Sequence, residues 1–311
     1  MKYIANNIMM IRPVGFRYNE QTAVNNYYQQ VLDDLTPEVV QENALDEFDA
    51  LVRKLKNIGL DVIVIEDDTA RDTPDSIFPN NWISFHNDGM VGLYPMYAEN
   101  RRNERRKDIF DVLVDEYGFI IEGIKDFTEF EEDDKFLEGT GSMVLDRENK
   151  ICYAAISIRT HEIAVMQFCK EFDYRSVCFT ANQDVDGERM PIYHTNVMMC
   201  RGDAFVVICL DAIDNLIERE NVIRNLEATG KEIIEITEDQ KNRFAGNMLQ
   251  VMGDRSYIVM SSSAYSSLIP EQKNTIQKHC RILHSSLDTI EACGGGSARC
   301  MIAEIFLPKE E

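Results

Sequence analysis

The feature that most constrains this 311-residue chain is an internal repeat. Five short runs of mostly small or polar residues recur along it: Phe78-Pro79-Asn80-Asn81, Glu138-Gly139-Thr140-Gly141, Tyr193-His194-Thr195-Asn196, Phe244-Ala245-Gly246-Asn247 and Gly294-Gly295-Gly296-Ser297-Ala298-Arg299-Cys300. Their last residues stand about 60, 55, 51 and 53 positions apart, and a spacing of that order marks a repeat architecture. Each run leads directly into an apolar, strand-like segment.

The content of each period agrees. Trp82–Phe85 turns at His86–Gly89 and returns through Tyr94. Ser142–Leu145 turns at Asp146–Asn149 and returns through Ile151–Ile156. Val197–Cys200 turns at Arg201–Asp203 and returns through Phe205–Leu210. Met248–Met252 turns at Gly253-Asp254 and returns through Tyr257–Met260. Two apolar runs joined by turn formers read as a hairpin. Helix-like stretches follow. Asn103–Tyr117 places Ile109, Val112, Leu113 and Tyr117 on one face, and Phe119–Ile121 reads as the next strand. Asp214–Ala228 carries Leu216, Val222, Ile223 and Leu226, ahead of Ile233-Ile234; Pro270–His279 precedes Arg281–Leu283. Apolar residues at three-to-four spacing bury one helix face, so the unit is β-β-α-β. The last unit runs out of chain after Cys300. The N-terminal run Ile8–Ile11 is available to complete it, which would remove two open sheet edges.

Composition narrows the partners. With 32 basic and 54 acidic side chains the formal charge is −22, which argues against nucleic acid and anionic membranes. No linker or low-complexity tract divides the chain, so residues 1–311 are expected to form one α/β domain. The acidic run Glu129–Asp134 reads as a solvated loop. Eight cysteines include no CxxC pair, and most lie in apolar segments, as reduced buried thiols do. No signal-peptide pattern or membrane-length run is present, so a cytoplasmic location is expected. No histidine stands at zinc-ligand spacing from cysteines or carboxylates, so neither metal nor cofactor is expected.

If the five runs converge, three of them bring chemistry together. Cys300 ends a glycine-rich turn that can hold a sulfur exposed. A thiol nucleophile needs a base, and His194 stands in the equivalent run. Glu138 is the carboxylate to orient that imidazole or to meet the substrate.

These residues carry a resemblance. Gly-Gly-Gly-Ser-Ala-Arg-Cys-Met ending at Met301, His194-Thr195-Asn196 and Leu137-Glu138-Gly139 resemble the guanidine-modifying superfamily of arginine deiminases, dimethylarginine dimethylaminohydrolases and amidinotransferases. Pro74–Asn81 is similar to the dimethylaminohydrolase substrate loop, and Met96–Arg102 and Ile156–Thr160 to its two arginine segments. The likeness runs from about Ile8 to Leu307. It implies a five-bladed pseudo-symmetric α/β propeller closed by the N-terminal strand, a small amino-acid substrate and a homodimer. It also implies roles: Cys300 as nucleophile, His194 as acid and base, Glu138 as its orienter. Arg159 and one of Arg101 or Arg102 would hold the substrate carboxylate, Asp75 its ammonium, and Phe78 its aliphatic stem.

Two departures stand out. Guanidine-binding relatives end the first run in Asp and read His-x-Asp in the third; here both positions are amides, Asn81 and Asn196. Carboxylates suit a guanidinium, through charge-assisted hydrogen bonds of about 1.5–3 kcal/mol each. Left without a counter-charge, a buried carboxylate costs roughly 3–5 kcal/mol. An amide offers both an acceptor and donors, which suits a neutral ureido group. The resulting expectation is a citrulline hydrolase of the citrulline-utilisation branch. Arginine dihydrolysis, another guanidino hydrolysis, amidino transfer and non-catalytic binding of a ureido or guanidino amino acid remain open at this point.

Overall fold

All four hairpins are present, and in each a third strand adds in parallel. The computed structural model describes residues 3–310. Ile83–Phe85, Met90–Leu93 and Gly123–Asp126 form one sheet; Val144–Asp146, Ile151–Ala155 and Arg175–Phe179 a second. Met199–Arg201, Phe205–Ile208 and Glu232–Glu235 form a third; Leu249–Met252, Ser256–Ser261 and Arg281–Ser285 a fourth. In every one the first pair is antiparallel and the second parallel. A parallel neighbour requires a crossover, and a helical segment supplies it between the second and third strands each time.

The fifth sheet is assembled from both ends of the chain. Ala303–Ile305 pairs antiparallel with Asn7–Arg12, Ile8 standing opposite Glu304. Asn7–Arg12 then pairs in parallel with Asp61–Glu66. The crossover is the long helix Pro37–Asn57, which starts with Thr36 as N-cap and Pro37 in its first turn. Its buried residues Val40, Ala44, Phe48, Leu51 and Leu55 recur at three-to-four spacing and form one apolar stripe. First strands of neighbouring sheets meet: Ala303–Ile305 against Ile83–Phe85, Val144–Asp146 against Met199–Arg201, and Met199–Arg201 against Leu249–Met252. The core divides into four apolar clusters that run between adjacent sheets.

Several local expectations are corrected. The third strand of the first unit is Gly123–Asp126, not Phe119–Ile121. Gly118 turns the chain at φ +68°, and Phe119 is buried opposite Lys309 in an isolated bridge. The helix before it begins at Asp108 and continues as a π-turn over Val112–Glu116; Ile109 and Leu113 are buried while Tyr117 is exposed. The helix Leu216–Ala228 buries Val222 and Leu226 but leaves Leu216 65% exposed. Leu216 is its first helical residue, outside the stripe that the sheet covers. A further hairpin, Asn182–Val185 with Glu188–Pro191, turns at Asp186-Gly187, both at positive φ. That dipeptide is among the strongest hairpin signals. The acidic run is a 3-10 turn, Thr128–Asp133, and its Glu131 accepts from the Met96 backbone N–H and pairs with Arg105.

Three of the repeated runs that were expected as loops are short helical turns: Pro79–Asn81, Gly139–Ser142 and Thr195–Met198. The Gly139–Ser142 turn touches the other two. No helix among the described residues is long and apolar enough to cross a membrane.

The N-terminal strand is held chiefly by burial. Replacing fully buried Ile8 by Ala should cost about 2–4 kcal/mol in urea unfolding, the usual range for such truncations. Leu216→Ala should stay within about 0.5 kcal/mol, as surface changes do.

Candidate active site

Cys300, His194 and Glu138 come together from three different units. His194 Nε2 lies 2.7 Å from Glu138 Oε2. Both side chains are essentially inaccessible to solvent. The other Glu138 oxygen accepts from the Tyr97 backbone N–H at 3.0 Å. Arg159 Nη1 stands 3.5 Å and Arg101 Nη1 3.9 Å from Oε2. Cys300 Sγ accepts from two amides, Asn247 Nδ2 at 3.2 Å and Asn196 Nδ2 at 3.4 Å. Cys300 and His194 border one narrow cavity together with Thr22, Asp75, Asn81 and Arg159.

Glycines make that convergence sterically feasible. A Cβ on Gly141 would stand 2.4 Å from Asn81 Nδ2 and 2.8 Å from His194 Nδ1. Gly294 and Gly296 lie against the Phe78 ring, where a Cβ would come within 2.9 Å of it. Gly295 turns the chain at φ +62°, a conformation that glycine adopts at little cost.

The charges set the resting protonation. Burial raises the Glu138 carboxyl, but Arg159, the His194 hydrogen bond and Arg101 outweigh it and hold the group well below the usual carboxylate range. Burial lowers His194 to about 4, with Arg159 and Arg101 adding to the fall and Glu138 opposing it. The imidazole is therefore neutral near pH 7. A carboxylate on Nε2 requires the proton there, so Nδ1 carries the lone pair. Nδ1 is the edge that lies against Gly141.

A family model described as N,N dimethylarginine dimethylhydrolase, eukaryotic, matches residues 12–307. The chain belongs to this family. It thereby falls in the guanidino-modifying pentein superfamily. Among solved structures, the apo form of ArgZ, an arginine dihydrolase of the ornithine-ammonia cycle in Cyanobacteria, is similar at TM-score 0.74 and 18% identity. The match covers 98% of this chain and 41% of ArgZ, so the chain spans about two-fifths of that protein's length. Unliganded AgrE gives TM-score 0.72 at 18% identity over 98% of this chain and 40% of AgrE. A dimethylarginine dimethylaminohydrolase adduct with S-methyl-L-thiocitrulline gives 0.63 at 14% identity, covering 97% of this chain and all of that one. None of the curated proteins compared with the chain matches it.

Within this dimethylarginine dimethylhydrolase family member, the expected substrate residues divide. Asp75, Phe78, Asn81, Arg101 and Arg159 border the cavity with Cys300 and His194. Arg102 does not; it turns outward to Met96 O and Glu131. Arg101 is at the cavity but its fork is occupied. Nε and Nη2 donate to the two oxygens of Glu104 at 2.8 and 2.9 Å, and Nη1 donates to Asn81 Oδ1 at 2.8 Å. It is therefore not free to grip a substrate carboxylate. Asn196 does not border this cavity; it donates to the sulfur and borders a separate one. Glu138 is likewise absent from the substrate-cavity lining, bonded to His194 Nε2.

Asn247 is the site residue missed by sequence reasoning. It holds Sγ and, through Oδ1, the Arg299 backbone N–H at 3.0 Å. Its position as the fourth repeat marker was the available signal.

Two outcomes are expected. Gly141→Ala should cut turnover at least about 100-fold, the scale of a displaced acid–base group, while circular dichroism stays native. An NMR titration of the His194 ring should show it neutral down to about pH 4. The sign follows from burial. Between the unfolded value near 6.5 and about 4, the unfolded chain binds the extra proton, so stability falls as pH drops through that window.

Proposed function

We propose that the chain, as one catalytic domain over residues 1–311, hydrolyses the ureido group of citrulline to ornithine, carbon dioxide and ammonia. In this reading the five sheets are the blades of a pseudo-symmetric propeller, closed by the N-terminal strand. The observation that carries the substrate choice is the bond from Arg101 Nη1 to Asn81 Oδ1. A guanidinium can only donate, so this bond orients the Asn81 amide with its oxygen toward Arg101. Its Nδ2, which gives one N–H to Asn80 Oδ1 at 3.1 Å, is the group left for the substrate. A donor suits a ureido oxygen and repels a guanidinium N–H.

The roles then follow. Nδ1 of His194 accepts the thiol proton as Sγ of Cys300 adds to the ureido carbon. Asn81 Nδ2 donates to the developing oxyanion. The tetrahedral adduct collapses, its C–N bond breaks, and the imidazolium returns the proton to the departing nitrogen. Water, deprotonated by His194, attacks the remaining thiocarbamate, and the C–S bond breaks to regenerate the thiol. Carbamate loss of carbon dioxide completes the balance. Asn196 and Asn247 hold the sulfur in line, and Glu138 keeps the imidazole tautomer.

At the far end, Asp75 Oδ1 is buried with no partner, while Oδ2 accepts from Asn19 and Thr22. A buried carboxylate oxygen left unpaired is poised for an ammonium. Arg159 is the group for the substrate carboxylate. Its Nη2 donates to Thr22 O at 2.7 Å and its Nε to Asn25 Oδ1 at 2.7 Å, contacts that a substrate carboxylate would replace. Phe78 lines the stem.

Similarity to ArgZ favours arginine dihydrolysis as the second reading. Ornithine and ammonia assays with citrulline, arginine and dimethylarginine separate the two. Citrulline should yield ornithine; ornithine from arginine alone would end the citrulline assignment. Cys300→Ser should abolish turnover with binding retained, and a non-catalytic binder would have no turnover to lose. Asn81→Asp should lower citrulline kcat/KM by about 10²–10³-fold, the effect of losing one oxyanion donor.

A further inference from the structure

A second cavity is bordered by Asn196, whose amide donates to Cys300 Sγ, and shares no lining residue with the substrate cavity. It is small, about 40 Å³, room for a few waters or one small ion, and is bordered by Asn196, Thr140, Arg147, Arg201, Arg299 and Glu304. Three arginines and Glu304 line it, with Asp146 and Glu148 beside Arg201. Only Arg299 has its carboxylate hydrogen-bonded, Nη2 to Glu304 Oε2 at 2.9 Å. Arg147 lies 4.0 Å from Glu304 and stacks on the Phe306 ring at 4.3 Å. Arg201 is the informative one. Its side chain is 6% exposed, and its Nε and Nη2 make no hydrogen bond. Asp146 stands 3.2 Å from Nη2 but also 3.3 Å from Lys231 Nζ, and Glu148, at 3.5 Å, is half in solvent. A buried guanidinium with free N–H groups is costly unless something accepts from it.

We infer that this second cavity is a binding site for a small oxyanion, held by the forks of Arg201 and Arg147 with Arg299 alongside. A planar fork matches two oxygens of one anion. The site stands without the substrate assignment. Only the choice of bicarbonate as the first ligand to try rests on that reading, since bicarbonate is the hydrated form of the carbon dioxide released. Inorganic phosphate is the other source of the same chemistry. Asn196 borders this cavity and also donates to Cys300 Sγ, so an anion here would bear on the nucleophile through that amide.

The test uses the full chain carrying Cys300→Ser, which removes turnover from the measurement. Bicarbonate and phosphate are titrated separately against sodium chloride at equal ionic strength, with thermal unfolding as the readout. Saturating anion should raise Tm by ~2–4 °C, the shift for modest ligand linkage in a chain of this size. Arg201→Lys, which keeps the charge and the Asp146 pair but loses the fork, should remove the shift; so should Arg147→Gln. A response to either anion supports the site and identifies its source. No response beyond chloride overturns the proposal, and so does an equal response in folded Arg201→Lys or Arg147→Gln protein. Because no substrate is present, failure here is distinct from failure of the citrulline reading.

Discussion

The structure around the site depends on one buried carboxylate. Glu138 is fully enclosed, yet it stays ionised because a backbone N–H, an imidazole N–H and two guanidinium groups surround it. Removing the partners of such a charge costs roughly 3–5 kcal/mol. Those partners come from the segments around Tyr97, Arg101, Arg159 and His194, so the same interaction that fixes the imidazole also locks separate units together. The imidazole tautomer and the packing of the units are one electrostatic arrangement.

Around that anchor polar groups are paired in sequence, while Asp75 Oδ1, Asn25 Nδ2 and Asn196 Oδ1 are left without a partner. Glu104 neutralises Arg101, Arg101 uses the oxygen of Asn81, and Asn81 keeps a donor. Asn196 and Asn247 place two amide donors on one sulfur. Thr22 and Asn25 occupy the fork of Arg159 from the segment between the first strand and the long helix, and Asn26 of the same segment donates to the Gly294 and Gly295 carbonyls. The enclosed site is thus covered by hydrogen bonds of the kind a zwitterionic amino acid makes. Exchanging one set for the other is how such a pocket admits substrate without leaving buried groups bare.

Much of this was legible in the chain. The turn residues and alternating apolar runs located four hairpins, and Ile8–Ile11 was identifiable as the missing strand of the last sheet because the final unit lacked one. Cys300, His194 and Glu138 were picked out from three of the repeated runs and from the family resemblance that those runs carry. The misses have local causes. Phe119–Ile121 has strand composition, but burial against Lys309 after the Gly118 turn claims it. Leu216 fits a helical stripe by spacing, yet lies at the helix end, beyond the sheet. Asn247 was passed over because, unlike Asn81 and Asn196, it stands at no position where guanidine-binding relatives were expected to carry a carboxylate.

The sequence by itself determined the repeat, the order of its units and which side chains stand at the inner end of each. These depend on periodicity and turn chemistry, which act over a few residues. Only the tertiary structure decided the partners: that Arg101 belongs to Glu104, that Arg102 turns outward, that Asn196 donates to the sulfur, and that Arg201 is left with free N–H groups in a buried cavity. Partner choice among polar groups turns on separations of a few ångströms between residues far apart in the chain, and hydrogen bonding and ion pairing fall off too steeply over that range for any local pattern to encode them.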